Sequence, residues 1–86
     1  MPRYFIMRTV YREEDFSVWY EEFLSDYGTW IRSPKELDEV LLLSLHDAKM
    51  VAKAMDDIKD TFDWSEFDVL AETSFNRVSY FPEEEA

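Results

Sequence analysis

Residues 44–62 read SLHDAKMVAKAMDDIKDTF, and their apolar positions recur every three or four residues. This period is typical of an α-helix with one buried face. Ser44, followed three residues later by Asp47, forms a capping-box pattern that marks the first turn. We therefore predict one amphipathic helix over residues 45–61, with ends defined to about two to four residues. The positions predicted to face the core are Ala48, Val51, Ala52, Met55, Ile58 and Phe62.

The residues before this helix predict strands. Residues 3–11 (RYFIMRTVY) are rich in β-branched and aromatic side chains and predict a first strand. Residues 16–24 (FSVWYEEFL) fit either a helix or a strand, because their apolar positions also fall at helical spacing. We favour the strand, since residues 26–28 (DYG) match a three-residue hairpin loop, with 29–31 as the return strand. Residues 40–43 predict a short, buried extended segment.

Two alternating segments follow the helix. Residues 67–73 (FDVLAET) and 75–81 (FNRVSYF) both predict strands. Residues 83–86 form an acidic tail beyond a single globular domain of residues 1–82. The predicted fold class is α+β, a small antiparallel sheet of three to five strands with one main helix packed on one face.

Composition narrows the class of protein. The chain has 86 residues, which predicts one domain. Aromatic residues make up 17%, which is typical of a folded protein rather than of a disordered acidic chain. Cysteine is absent and no apolar run approaches the roughly 20 residues of a membrane span. We therefore expect a protein of a reducing cytoplasm.

Negative charge is concentrated in the last third of the chain. The net charge is −11 overall. Residues 1–53 carry ten acidic and seven basic residues, whereas residues 54–86 carry ten acidic residues against only Lys59 and Arg77. A coat of charge that served solubility alone would be more even.

The residue types argue against catalysis. His46 is the one histidine, and we interpret it as an exposed residue of the first helical turn rather than as a base. A single glycine excludes both the G-x-G-x-x-G pattern and the Walker A loop. Asp60, Asp63 and Glu66 fit a calcium site less well than a solvated acidic turn. We predict no enzyme, no cofactor and no metal.

Direct binding to nucleic acid is also disfavoured, because a net charge of −11 repels phosphates. Arg3, Arg8, Arg12 and Arg32 form a candidate basic patch near the first strand, but we expect them to offset neighbouring acids.

The acids near the end of the helix are unusual. Asp56 and Asp57 oppose the helix dipole and repel Asp60, so folding gains nothing obvious from them. Acids three or four residues apart on a helix, or two apart on a strand, lie close to the spacing of phosphates along nucleic acid. We predict a phosphate-mimicking ladder with an apolar anchor, against the alternative of a solvated acidic face. Its members are Asp56, Asp57, Asp60, Asp63, Glu66 and Asp68, with Trp64 as the anchor.

The order of elements resembles that of small phage-encoded proteins. A β-hairpin is followed by a tryptophan strand (GTWIRSP, 28–34), by LLLSLHDAKMVAKAM (41–55) and by a closing strand. This pattern is similar to that of host-takeover and anti-CRISPR proteins. The resemblance implies a mobile genetic element and a bacterial host cell.

Together these features predict a non-enzymatic inhibitor. Its acidic ladder would occupy the basic nucleic-acid channel of a host protein, such as a CRISPR effector or another basic enzyme. The alternative is a small protein–protein interaction module, or a homodimer, that uses an aromatic face or a sheet edge.

Overall fold

The computed structural model describes residues 2–59 and 64–77. Four antiparallel strands form one sheet in the order β3-β2-β1-β4, and one α-helix packs against it. This confirms the predicted α+β class. The elements are β1 Tyr4–Tyr11, β2 Val18–Leu24, β3 Trp30–Ile31, α1 Leu45–Ile58 and β4 Ser65–Ala71, with short 3-10 helices at Leu37–Glu39 and Glu72–Arg77.

Strand β1 is the centre of the sheet, because it pairs with β2 on one side and β4 on the other. Its neighbouring residues Phe5 and Ile6 point to opposite faces and are 0% and 1% exposed. We call the face of Ile6, which α1 covers, the helix face, and the face of Phe5 the far face. The helix-face core is built on Ile6, Leu24 and Ala48, and the far-face core on Phe5, Phe23, Val40 and Phe75.

Residues 16–24, whose sequence pattern fits both a helix and a strand, contain strand β2. The favoured hairpin is confirmed, because the Ser25 N–H donates to the Thr29 carbonyl at 2.8 Å and the Gly28 N–H donates to Ser25. Gly28 has φ of 78°, which a residue with a Cβ rarely adopts. The glycine therefore sets the turn that returns the chain into β3.

Between β3 and α1 the chain crosses the end of the sheet. Glu36 and Glu39 form a capping box around the first 3-10 helix, with the Glu39 carboxylate accepting from the Glu36 N–H at 2.7 Å. Val40 then bridges to Ser25, and Leu43 bridges to β1. The predicted segment at 40–43 is confirmed as extended, but only Val40 is buried and residues 41–43 are half-buried. It delivers the chain to the start of α1.

Helix α1 begins at the predicted cap, where the Ser44 hydroxyl accepts from the Asp47 N–H at 3.1 Å. Ala48 is fully buried, and Met55 packs in the helix-face core. The prediction that Ile58 faces the core is wrong, because Ile58 is 78% exposed. At 100° per residue Ile58 lies roughly 80° from Ala48 around the helix axis, at the margin of the apolar stripe. Phe62 lies outside the described residues.

Residues 75–81, the second segment predicted as a strand after the helix, do not form a strand over the part that the structure describes, residues 75–77. Strand β4 ends at Ala71, and Glu72–Arg77 forms a 3-10 helix. The Ser74 hydroxyl donates to the Ala71 carbonyl at 2.7 Å, and the Phe75 ring packs edge-on against Phe5. Burial of this one ring outweighs the alternating pattern. Residues 78–86, which include the predicted tail, lie outside the described residues.

The two faces of α1 give a matched test of this packing. Met55→Asn replaces a side chain in the helix-face core with a polar one and is expected to lower the free energy of unfolding by at least about 1–2 kcal/mol. Ile58→Asn changes an exposed residue one turn later and is expected to stay within about 0.5 kcal/mol of the wild type. Urea unfolding measures both, and equal effects would contradict the placement of the helix.

Candidate binding surface

The structure does not bring the described members of the predicted acidic ladder onto one surface. Asp56 and Asp57 lie in the last turns of α1, on the helix side of the sheet. Phe67 packs against Trp30 of the helix-face core, so its neighbours Glu66 and Asp68 point to the far face. Asp60 and Asp63 lie outside the described residues.

The two helical acids have local partners. Lys59 Nζ lies 3.1 Å from an Asp56 carboxylate oxygen, and Lys53 Nζ lies 3.4 Å from Asp57. Such exposed pairs contribute roughly 0–1 kcal/mol each, which is comparable to the unfavourable interaction of an acid with a helix C-terminus. The lysines therefore offset much of the repulsion that made these positions unusual in the sequence.

Three carboxylates on the far face lack this compensation. Glu21 on β2 and Glu66 on β4 both stand opposite Thr9 of the central strand, so their Cα atoms lie about 10 Å apart across β1. Asp68 is the next far-face residue of β4. Among the described residues, no lysine or arginine forms a salt bridge with any of the three. We call Glu21, Glu66 and Asp68 the far-face acids.

The far-face acids perturb one another. Partial burial, and then the negative charge of Asp68, raise the pKa of Glu21. Burial raises the pKa of the Tyr11 hydroxyl, and the charge of Glu66, to which that hydroxyl donates a hydrogen bond, raises it further. Burial is the larger cause of both shifts, and the neighbouring carboxylates add to it.

The arginines of the candidate basic patch pair mostly with acids. Arg8 and Arg32 approach the Glu22 carboxylate to 3.6 and 3.9 Å, and Arg3 approaches Glu72 to 3.1 Å. Their charge is therefore used within the fold, as the sequence led us to expect.

The loop that joins β1 to β2 holds an aromatic side chain in an unusual backbone conformation. Phe16 has φ of 61° and is the one described non-glycine residue with positive φ. Its N–H donates to the Arg12 carbonyl at 2.9 Å, and the Arg12 N–H donates to the Ser17 carbonyl at 2.7 Å. The Asp15 carboxylate accepts from both the N–H and the hydroxyl of Ser17, which lowers the pKa of Asp15. The left-handed conformation is unfavourable by roughly 1–2 kcal/mol for a residue with a Cβ.

A β-bulge lies beside this loop. Val10 pairs with Tyr20 but Tyr11 pairs with Val18, so Trp19 is an extra residue in β2. A bulge re-aims the side chain that it carries, and here Trp19 is left 59% exposed. The sequence contained a sign of this, because the two apolar residues 18 and 19 follow one another where a regular half-buried strand would alternate.

Trp64 completes a group of aromatic side chains. It precedes β4, where its carbonyl accepts from the Tyr11 N–H at 2.7 Å, and its ring meets the Phe16 ring edge-to-face with centroids 5.3 Å apart. Phe16 is 60% exposed and Trp64 is 40% exposed. We call Phe16, Trp19 and Trp64 the hairpin-end patch. The sequence pointed to Trp64 through its acidic neighbours. It did not point to Phe16 and Trp19, which lie in the segment whose pattern fits both a helix and a strand.

A cavity of about 310 Å³ opens at the hairpin-end patch. The Arg12 guanidinium lies 5.9 Å from the centre of the Trp19 ring, within cation–π distance. The cavity is lined by Val10, Tyr11, Arg12, Glu13, Glu14, Trp19 and Trp64.

The other features considered in the sequence are His46, metal sites and membrane spans. His46 is exposed in the first turn of α1. Within residues 2–59 and 64–77, no group of three or more metal-ligating side chains comes together. No helix in the same ranges has the length and apolar character needed to cross a membrane.

Two substitutions at one position isolate the strain at Phe16. Phe16→Gly and Phe16→Ala both remove the ring, but only glycine accepts positive φ without strain. We expect the glycine variant to be more stable than the alanine variant by about 1 kcal/mol in urea unfolding. Equal stability, or a more stable alanine variant, would show that Phe16 does not hold the left-handed conformation.

The raised pKa of Glu21 predicts a pH dependence. Folding favours the neutral form of this carboxyl, so its contribution to stability is present below the pKa of the unfolded chain, about 4.3, and is lost as the pH rises through the folded value. Glu21→Gln should therefore raise the melting temperature at pH 7 and do so less at about pH 3.5. Glu13→Gln removes the same charge from an exposed loop position and is the control. A larger gain from Glu13→Gln at pH 7 would contradict the crowding of the far-face acids.

Comparisons of the chain with protein-family models, with curated proteins and with solved structures found no match. The function is therefore inferred from the hairpin-end patch and from the acids beside it.

Proposed function

We propose that this protein is a non-enzymatic binding protein that covers a basic, nucleic-acid-binding surface of another protein. The observation that carries the proposal is the hairpin-end patch, in which Phe16 contacts Trp64 and Trp19 lines the same cavity as Trp64. These three aromatic side chains are 60%, 59% and 40% exposed for Phe16, Trp19 and Trp64. Large aromatic residues are the commonest energetic anchors of protein interfaces. We assign them that role here.

Folding alone does not account for the patch. A glycine at position 16 would remove the left-handed strain, and a regular strand would not need the bulge at Trp19. Exposed aromatic rings also forgo the stabilisation that burial would give them. Backbone strain and exposed apolar surface at one place are typical of a surface that is completed by a partner.

Charge indicates the chemistry of the partner. Glu13 and Glu14 lie in the same loop as Phe16, and the far-face acids lie on the strands that lead to it. A basic surface would be attracted over several ångströms and would associate faster for that reason. Of the predicted partner-binding residues, Trp64 and Glu66 lie at this end of β4, and Asp68 is the next far-face residue, opposite Met7.

We also propose that carboxylates of this protein mimic phosphates, but on β4 alone and not along a single ladder that includes the end of the helix. Glu66 and Asp68 are alternate residues of β4, so their Cα atoms are about 6.5–7 Å apart, close to the separation of successive phosphates in a strand. We propose that they occupy phosphate positions of the partner, while Asp56 and Asp57 on the helix side add only long-range attraction.

The phage-like order of elements favours a host defence protein as the partner, such as a CRISPR effector or another enzyme that binds nucleic acid in the bacterial cytoplasm. A homodimer through the same patch is disfavoured, because it would bring two chains of net charge −11 together at their acidic ends.

Affinity capture with paired baits tests the proposal. Bacterial lysate is passed over the wild type, Trp19→Ala and Tyr27→Ala, at about 0.05 M and about 0.5 M salt. Tyr27 is 91% exposed in the β2–β3 loop, at the opposite end of β2, and is the matched control. We expect a basic protein that the wild type and Tyr27→Ala retain at low salt, that Trp19→Ala loses, and that added nucleic acid releases. Equal retention by Trp19→Ala, or no release by nucleic acid, would contradict the proposal.

Charge reversal locates the acids that matter. Glu66→Lys with Asp68→Lys is expected to weaken binding to the captured protein by at least tenfold, whereas Asp56→Lys with Asp57→Lys should weaken it only a few-fold. Both pairs change the net charge by the same amount, so a difference between them reports position rather than total charge. The reverse order would restore the helical acids as the contact surface.

A further inference from the structure

The cavity at the hairpin-end patch has the chemistry of a cation-binding pocket. Its aromatic walls include Tyr11, Trp19 and Trp64, and Glu13 and Glu14 also line it. At about 310 Å³ it is at the small end of ligand sites, a size suited to one side chain rather than to a large cofactor. Aromatic faces combined with carboxylates attract organic cations. Arg12 is the one basic side chain in the lining, against the two carboxylates of Glu13 and Glu14.

The molecule already places a cation there. The Arg12 guanidinium lies over the Trp19 ring, 5.9 Å from its centre. Tyr11, which also lines the cavity, lies close enough to Glu66, one of the far-face acids, for that carboxylate to raise the pKa of its hydroxyl. The pocket is therefore held in a negative field, and its own arginine shows that a guanidinium is accommodated against its wall.

We propose that this pocket binds an arginine side chain of the partner, which takes the place of the Arg12 guanidinium. The inference rests on the function proposed above and names the group that the patch recognises. A guanidinium is favoured over a lysine ammonium because its plane stacks on tryptophan while its N–H groups reach carboxylates such as Glu13 and Glu14. Arginine is also abundant on surfaces that bind nucleic acid, since it pairs with phosphates.

Short peptides test the pocket without the partner. The probes are acetyl-Gly-Arg-Gly-amide and the same peptide with citrulline, which has nearly the shape of arginine but no charge. Indole N–H signals of ¹⁵N-labelled protein report Trp19, Trp64 and the half-buried Trp30 separately. We expect the arginine peptide to shift the Trp19 and Trp64 signals and to leave Trp30 unchanged, with the citrulline peptide binding at least about fivefold more weakly. Equal binding of the two peptides, or shifts at Trp30 alone, would overturn the proposal.

Variants distinguish the pocket from general attraction. Trp19→Ala, and Glu13→Gln combined with Glu14→Gln, should each weaken the arginine peptide several-fold, whereas Tyr27→Ala should leave its affinity unchanged. Arg12→Gln removes the internal competitor and is expected to tighten binding about threefold. Weaker binding by Arg12→Gln, in a variant whose circular dichroism matches the wild type, would show that Arg12 does not compete for the site.

The two proposals fail in different ways. If Trp19→Ala loses the captured protein but the arginine peptide does not bind, the patch is an interface and the pocket is not an arginine site. If the arginine peptide binds as expected but capture is insensitive to Trp19→Ala, the pocket is an arginine site and the proposed function is wrong.

Discussion

The burial of one strand on both faces determines the rest of this structure. Phe5 and Ile6 are adjacent in β1, point in opposite directions and are both almost completely inaccessible to solvent. One face is covered by α1, and the other by the segment around Val40 and by Phe75. A chain of 86 residues has little apolar surface for two cores, so both are gathered at the same end of the sheet.

The opposite end of the sheet is consequently left for other uses. Beyond Met7 the central strand carries Arg8, Thr9 and the buried Val10, and its neighbours carry carboxylates and exposed aromatic rings. The bulge at Trp19 and the left-handed Phe16 lie here, away from both cores. Irregular backbone is tolerated at this end because the packing that defines the fold does not depend on it.

Much of the fold could be predicted from local signals. The capping serine and the apolar period located α1, and Gly28 located the β2–β3 turn. These signals depend on the conformational preferences of nearby residues and not on distant contacts. Predictions failed where tertiary contacts decided. Phe75 is placed by its contact with the ring of Phe5, a residue 70 positions earlier. Ile58 is exposed because it lies at the margin of the apolar face of α1, outside the contact between the helix and the sheet.

The surface proposed for binding was harder to predict for the same reason. The sequence placed the acids in one continuous run, but alternation along β4 sends Glu66 and Asp68 to the face opposite the helix. Trp64 could be picked out from its acidic neighbours in the sequence. Its contact with Phe16 could not be predicted, because the two residues are 48 positions apart in the chain. A list of acidic residues therefore does not show on which face of the sheet each of them lies.

The central claim is that the hairpin end, and not the acidic end of the helix, is the surface that a partner covers. Hydroxyl-radical footprinting of the protein, free and bound to its captured partner, measures this most directly. The account predicts that the side chains of Phe16, Trp19 and Trp64 lose most of their reactivity on binding. Met50 and Ile58 of α1, which are 59% and 78% exposed, should keep theirs. Protection of Met50 and Ile58, with the three aromatic residues unchanged, would contradict it.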